Sequence, residues 1–410
     1  MHNKFTIVAS LLPGHQAAVQ EILKPFGTVC PDTENDSFGF AQITTLHFAS
    51  LCVFDDIEEG WSLLFEHNID GPIEAHIDNL LSVAEALDGG AFLLGLYGHC
   101  AGFKTQTLPG LRAYLLERVI KPQAGFISAV GMSRDQIRLD ARVYQVVDEA
   151  LGAAGQPLPP AEAQTQVLAA LDADPSLQDW RTFEDPGTKL ALLPKIWAVL
   201  CLIVSAIGFL ILAVVNLPRE RAADENRARP DPDLELSFAR NEDLIPTNHM
   251  LSVVYVHTDF GRQLAKRAAF GLLGNLVTLF FRKGFLGEIN TIHFAHWSFC
   301  SKSRRLIFVS NYDGSWRSYL DDFTLKASNG LNLAWAHSVG YPKTWAMLAG
   351  GASNGPQFID YARRSMFPTL VWYSAYPAVS VTNIDRNRQL RAALIKAQGG
   401  STDTSWLELV

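Results

Sequence analysis

The chain has 410 residues, 48% of them hydrophobic and 19% charged, enough to bury more than one sizeable core. Its net charge of -8 argues against general nucleic-acid binding, which needs clustered Lys and Arg to neutralise phosphates. The five cysteines are scattered without a C-x-x-C spacing, which points to a reducing compartment and to no zinc ribbon or dithiol site.

In chain order, "MHNKFTIVASLLPG" has no apolar stretch long enough for a secretory signal and carries a strand, "FTIVASL". "GHQAAVQEILKPFG" reads as a soluble-looking helix. Two alternating runs then flank the charged turn "DDIEEG" and predict a hairpin from Thr44 to Gly71. Pro72 suits a first helical turn, and Ile73, Ile77, Leu80 and Ala84 mark one apolar stripe after it. "GHCAGFKT" is a glycine-containing loop, and "GFISAVG" is a closing strand. Residues 151–190 form a linker rich in proline and acid, expected to hold one short helix around Gln164 to Leu171 and otherwise to wrap the surface. Ile196 to Val215 is then twenty residues without a charge, long enough for a membrane helix within 191–218. A polar linker covers 219–245, with Arg219, Arg221, Arg227 and Arg229 close behind the apolar stretch.

From residue 246 the chain repeats itself. "TTLHFASLCVF" returns as "NTIHFAHWSFC", so His47 matches His293; "SLLFEHNIDG" returns as "LIFVSNYDG", so Asn68 and Asp70 match Asn311 and Asp313. The helix stripe returns as Trp316, Leu320, Phe323 and Ala327, and "AHSVGYPKT" echoes "GHCAGFKT". Each half reads strand, helix, hairpin, helix, strand. The expected fold is therefore α+β: two tandem ferredoxin-like (βαββαβ) repeats, 1–150 and 246–410, packed as a pseudo-twofold pair with a membrane-associated helical insertion. In a straight hairpin each histidine would face its asparagine, His47 opposite Asn68 and His293 opposite Asn311.

A single crossing by the apolar helix would put the two halves on opposite sides of a bilayer and prevent their packing. The helix at 262–284 offers another route. Its apolar core, Ala268 to Phe281, is bracketed by Lys266-Arg267 and Arg282-Lys283, as in a helix lying in the headgroup region. The expected protein is membrane-associated on the cytoplasmic face, monotopic or hairpin-anchored, with lipid contact through Trp197, Phe209, Phe270, Leu272 and Phe280. A true crossing is the alternative.

His47, Asn68, Asp70 and Asn311 read first as a structural joint between hairpin and helix, because both copies keep the unit. The functional alternative is that the second copy lends Asp313 and Arg317 to a pocket. His337 lies in "LNLAWAHSVGYPKTW", where Trp335, Tyr341 and Trp345 would wall a site for haem or a large lipophilic ligand; a loop histidine bonded to backbone is the other reading. His296, three residues from His293, is a weaker candidate. No P-loop, G-x-G-x-x-G, H-E-x-x-H or G-x-S-x-G occurs. In topology, the duplicated modules resemble the dye-decolorizing peroxidase and chlorite dismutase superfamily. "SNYDG" shares the Asp-Gly of that family's G-x-x-D-G motif but has Ser310 at its first glycine, and "HNIDG" has His67 there. The resemblance implies haem held by His337, or second by His293, with Asp313 as distal acid and Arg317 as charge stabiliser. The expected function is then a membrane-associated, peroxidase-like oxidoreductase acting on a lipophilic small molecule. The alternative is a non-catalytic lipid-binding or scaffold protein.

Overall fold

The computed structural model describes residues 2–31, 36–56, 60–153, 158–182, 192–239, 242–280, 289–300, 304–397 and 404–410. The fold is mixed α+β. The first half supplies β1 (His2–Ser10), α1 (Gln16–Leu23), β2 (Gly27–Val29), β3 (Leu46–Asp56), β4 (Gly60–Asp70), α2 (Ile73–Asp88), β5 (Val119–Ile120), β6 (Ala124–Ile127) and α3 (Arg134–Gly152). The apolar helix is α4 (Leu192–Ala222). The second half supplies β7 (Thr247–Tyr255), α5 (Phe260–Phe280), β8 (Ile292–Phe299), β9 (Arg305–Asp313), α6 (Trp316–Lys326), β10 (Met366–Phe367), β11 (Thr369–Ser374) and α7 (Val381–Ala397). Of the expected features, the "SKSRR" turn at 301–303 and the end of the interfacial helix at 281–284 lie outside the described residues.

One sheet runs β2-β11-β3-β4-β1-β5, and the other runs β10-β7-β9-β8-β6. The last strand of each half is divided between them. β5 pairs with β1 of its own sheet, whereas β6, four residues later, pairs with β8 of the other. Likewise β10 pairs with β7 and β11 crosses to β3. Pro368, between β10 and β11, has no N–H to leave unpaired at that crossing. The two sheets thus share their edges, and each protects the other from edge-to-edge pairing.

Alternation in the strands sends one set of side chains outward to the helices and the other inward. Outward, Phe5, Ile7 and Phe65 pack with Val19, Leu23, Ile77 and Leu80; on the other sheet Met250, Phe308 and Tyr312 pack with Tyr319, Leu320 and Phe323. Inward, Cys52, Phe54 and Leu64 meet Leu251, Ile307 and Val309, so the sheets are pressed together over an apolar half-seam. Segment 151–190 does more than wrap the surface. Its helix Pro160–Ala173 and Trp180 build a third core with Val143, Val147, Leu390, Leu394 and Trp406. There the buried Arg391 donates to Asp140 (2.5 Å) and to the Trp180 carbonyl (2.7 Å).

α4 is a surface layer. Its buried stripe, Ala198, Phe209, Ala213 and Asn216, rests on α5, which runs antiparallel to it. The glycines of α5 permit the approach: a Cβ at Gly261 would lie 2.7 Å from Asn216 Oδ1, and one at Gly271 would lie 3.3 Å from Ser205 Oγ. α5 packs in turn on the second sheet, with Phe270 edge-on to Phe299 at 4.8 Å. Phe209 (1% exposed) and Phe270 (4%), expected at lipid, are therefore inside the protein, because each faces its helix partner or the sheet. Trp197 and Phe280 remain open at 70% and 63%, and Leu272 is half-buried.

Candidate functional site

The repeated Asn-x-Asp-Gly units are joints, built almost identically. Gly71 and Gly314 take left-handed φ of 81° and 78°, which only glycine adopts cheaply, and turn the chain from strand into helix. Asn3 and Asn248 each donate to the carbonyl of that glycine, at 2.7 and 2.8 Å. Asp70 accepts the first N–H of α3 (Arg134 N, 2.9 Å), and Asp313 accepts the first N–H of α7 (Val381 N, 2.8 Å). Each carboxylate thus caps a helix that starts some sixty residues later in the chain.

The histidines do not face the asparagines. In both hairpins the register shifts at the histidine, so that Phe48 and Phe294 stand opposite Asn68 and Asn311. These bulges re-aim the imidazoles at the aspartates. His293 Nε2 lies 2.7 Å from Asp313 Oδ1. His47 Nε2 lies 3.1 Å from Asp70 Oδ2, and its Nδ1 lies 2.9 Å from the Tyr376 hydroxyl. A second imidazole, His2 Nδ1, lies 3.0 Å from Asp70 Oδ1. Burial raises the Asp70 carboxyl pKa, but the contacts from His2 and His47 outweigh it and hold the group well below the carboxylate range. Burial lowers His47, which is therefore neutral beside an ionised Asp70.

The asparagines serve a different centre. Glu66 is fully buried between the sheets, where the second copy has Val309. It accepts from Asn68 (2.7 Å), Asn311 (3.1 Å) and Ser50 (2.9 Å) and meets His249 Nε2 at 3.0 Å. Trp372 Nε1 donates to Asn311 Oδ1 at 2.8 Å. Desolvation opposes ionisation of Glu66, yet His249 and the amide donors lower its pKa to about 2. His296, also fully buried, hydrogen-bonds Thr6 (3.1 Å), and burial lowers its pKa to about 4.

Asp313 and Arg317 are not brought together. Arg317 pairs with Asp321 at 3.0 Å on the exposed face of α6, and among the described residues no contact joins it to Asp313. His337 is 1% exposed and His293 is 0% exposed. A ring bordering a porphyrin-sized void would open a face to it, and neither does, so these residues do not fit a haem. Both ring nitrogens of His337 lack hydrogen-bond geometry, although Leu333 lies close enough to act through its backbone; burial, then the Lys266 charge, lowers its pKa to about 3. A cavity of about 780 Å³ lies elsewhere, between α3, residues 175–179 and residues 375–379, with Arg138, Arg142 and Tyr376 on its wall.

Sequence reasoning missed His2, Glu66, His249 and Tyr376. Only Glu66 carried a signal, as the charged residue set against valine when the copies are aligned. No protein-family model, curated protein or solved structure matches this chain.

Proposed function

We propose that this is a monotopic membrane protein: two ferredoxin-like repeats that share edge strands, held flat on a lipid surface by α4. The observation that carries the proposal is the outer face of α4. Leu193, Trp197, Leu200, Val204, Ile207, Ile211 and Val214 recur at helical spacing and are between 51% and 78% exposed, with no charge between Ile196 and Val215. At roughly half their full burial value, each such side chain contributes about 1 kcal/mol on entering lipid.

The in-plane attitude rests on α5. Antiparallel to α4, it carries exposed Arg267 near the level of Phe209, midway along the uncharged stretch. A crossing would draw that arginine to mid-bilayer, at about 2.5–3.5 kcal/mol, and would drag the second sheet in with it. Lying flat, Arg267 reaches headgroups sideways. Five cysteines scattered without a C-x-x-C spacing suit the cytoplasmic face. The partner is membrane lipid; the haem-dependent oxidoreductase reading is left aside, because His337 and His293 have no open face for iron porphyrin.

Flotation with phosphatidylcholine vesicles tests this. Val204→Asp combined with Ile211→Asp removes about 2 kcal/mol of apolar transfer and is expected to weaken partitioning by at least about 30-fold. In sealed vesicles with outward-facing protein, protease reaches both halves. Protection of one half alone means a crossing and overturns the proposal.

A further inference from the structure

We propose that His2, His47 and Asp70 form a binding site for one divalent transition-metal ion, of the Zn(II), Co(II) or Fe(II) class. Two imidazole nitrogens and a carboxylate lie within 4.8 Å of one another, the one grouping of three such ligands among the described residues. One carboxylate oxygen is offered to each imidazole, at 3.0 and 3.1 Å. These separations approach the edge of about 3.3 Å expected between ligands held 2.0–2.1 Å from a tetrahedral ion.

The comparison of the two joints carries the inference. In the second, a lone imidazole meets Asp313 in a well-formed hydrogen bond of 2.7 Å, and Thr247 occupies the place corresponding to His2. In the first, the added imidazole comes with a change of geometry. His2 Nδ1 and His47 Nε2 are both buried and within reach of the carboxylate, yet neither makes a hydrogen bond of acceptable direction. Two buried nitrogens without a directed hydrogen bond, gathered with a carboxylate oxygen inside 4.8 Å, are placed as ligands of one ion would be. The far nitrogens have the outer partners that metal-binding histidines use: His47 Nδ1 the Tyr376 hydroxyl at 2.9 Å, His2 Nε2 the Ala129 carbonyl at 3.1 Å. The Gly131 N–H also points at His2 Nε2 from 2.9 Å, a contact that belongs to the metal-free tautomer. The two histidine side chains are 4% and 0% exposed and Asp70 is 19% exposed, so the open coordination position lies on the aspartate side. Two nitrogens and one oxygen suit borderline ions rather than Mg(II) or Ca(II).

The test uses the full chain with a C-terminal tag free of histidine, stripped with EDTA in mild detergent and dialysed against Zn(II). Elemental analysis after gel filtration is expected to find one Zn(II) per chain, and Co(II) in its place is expected to give visible ligand-field bands. His2→Thr, which copies the second joint and keeps the Asp70 cap, is expected to weaken Zn(II) binding by at least about 100-fold. Thr247→His is expected to raise the stoichiometry to two. Substoichiometric zinc on the unaltered chain, or unchanged binding by His2→Thr, overturns the proposal. The first of these outcomes needs no variant to fold.

Discussion

Replacing Glu66 with glutamine probes the seam between the sheets. The carboxylate accepts from Asn68 and Asn311 at one oxygen and meets Ser50 and His249 at the other. An amide is isosteric, but its NH₂ must face either the two asparagine NH₂ groups or the Ser50–His249 side, so buried donors there lose their acceptor. Removing one partner of a buried charged network costs about 3–5 kcal/mol. The pH dependence gives an independent figure. Lowering the carboxyl from its ordinary 4.5 to about 2 is worth about 3 kcal/mol of folding free energy. Because the folded-state value is the depressed one, that stability is fully present above pH 4.5. It is lost as pH falls towards 2. Urea unfolding followed by tryptophan fluorescence is a suitable assay, since Trp372 is bonded into the same network. Glu66→Gln is expected to lose about 3–5 kcal/mol at pH 7 and to show a flatter stability profile between pH 4.5 and 2 than the unaltered chain. A cost below about 1 kcal/mol, or an unchanged acid profile, refutes the reasoning.

Two further outcomes follow from other buried contacts. Asp313→Asn keeps the shape of the second joint but weakens the cap on Val381 N and the tie to His293; about 1–2 kcal/mol is expected, seen as faster amide exchange in the first turn of α7 while α3 is unchanged. Arg391→Ala leaves Asp140 buried without its cation and is expected to cost about 3–5 kcal/mol, partly restored by adding Asp140→Ala, as a double-mutant cycle of unfolding free energies would read.

The hairpins and the helices that follow them were legible because the chain writes them twice, with matched stripes such as Ile73–Ile77–Leu80 and Trp316–Leu320–Phe323. Direct pairing of His47 with Asn68 was the wrong inference from a sound pattern. A constant index sum assumes an unbroken ladder, and nothing in "TLHFA" announces a bulge. "TLVWYS" was readable as a strand, but its choice of β3 over its own sheet depends on how two finished sheets meet. α3 and α7 carry apolar positions at helical spacing, Ile137, Val143, Val147 and Ile384, Leu390, Leu394, and were overlooked beyond the closing strands. The apolar character of Phe209 and Phe270 could not say which face of a helix meets protein and which stays open. His2 gains its meaning only from antiparallel pairing that sets it opposite Asp70.

The crossing of β11 into the first sheet also sets a timetable. β3 is made early, yet the strand that covers its open edge is the stretch ending at Ser374. At roughly 5–20 residues per second, about 300 residues of synthesis separate the two, a wait of roughly 15–60 s. During that interval α4 emerges with its apolar face bare, before the body it rests on exists. A ribosome stalled between α4 and β11 would therefore hold a chain with that apolar face bare and its first sheet unclosed. On the function proposed above, attachment to a membrane would precede completion of the fold.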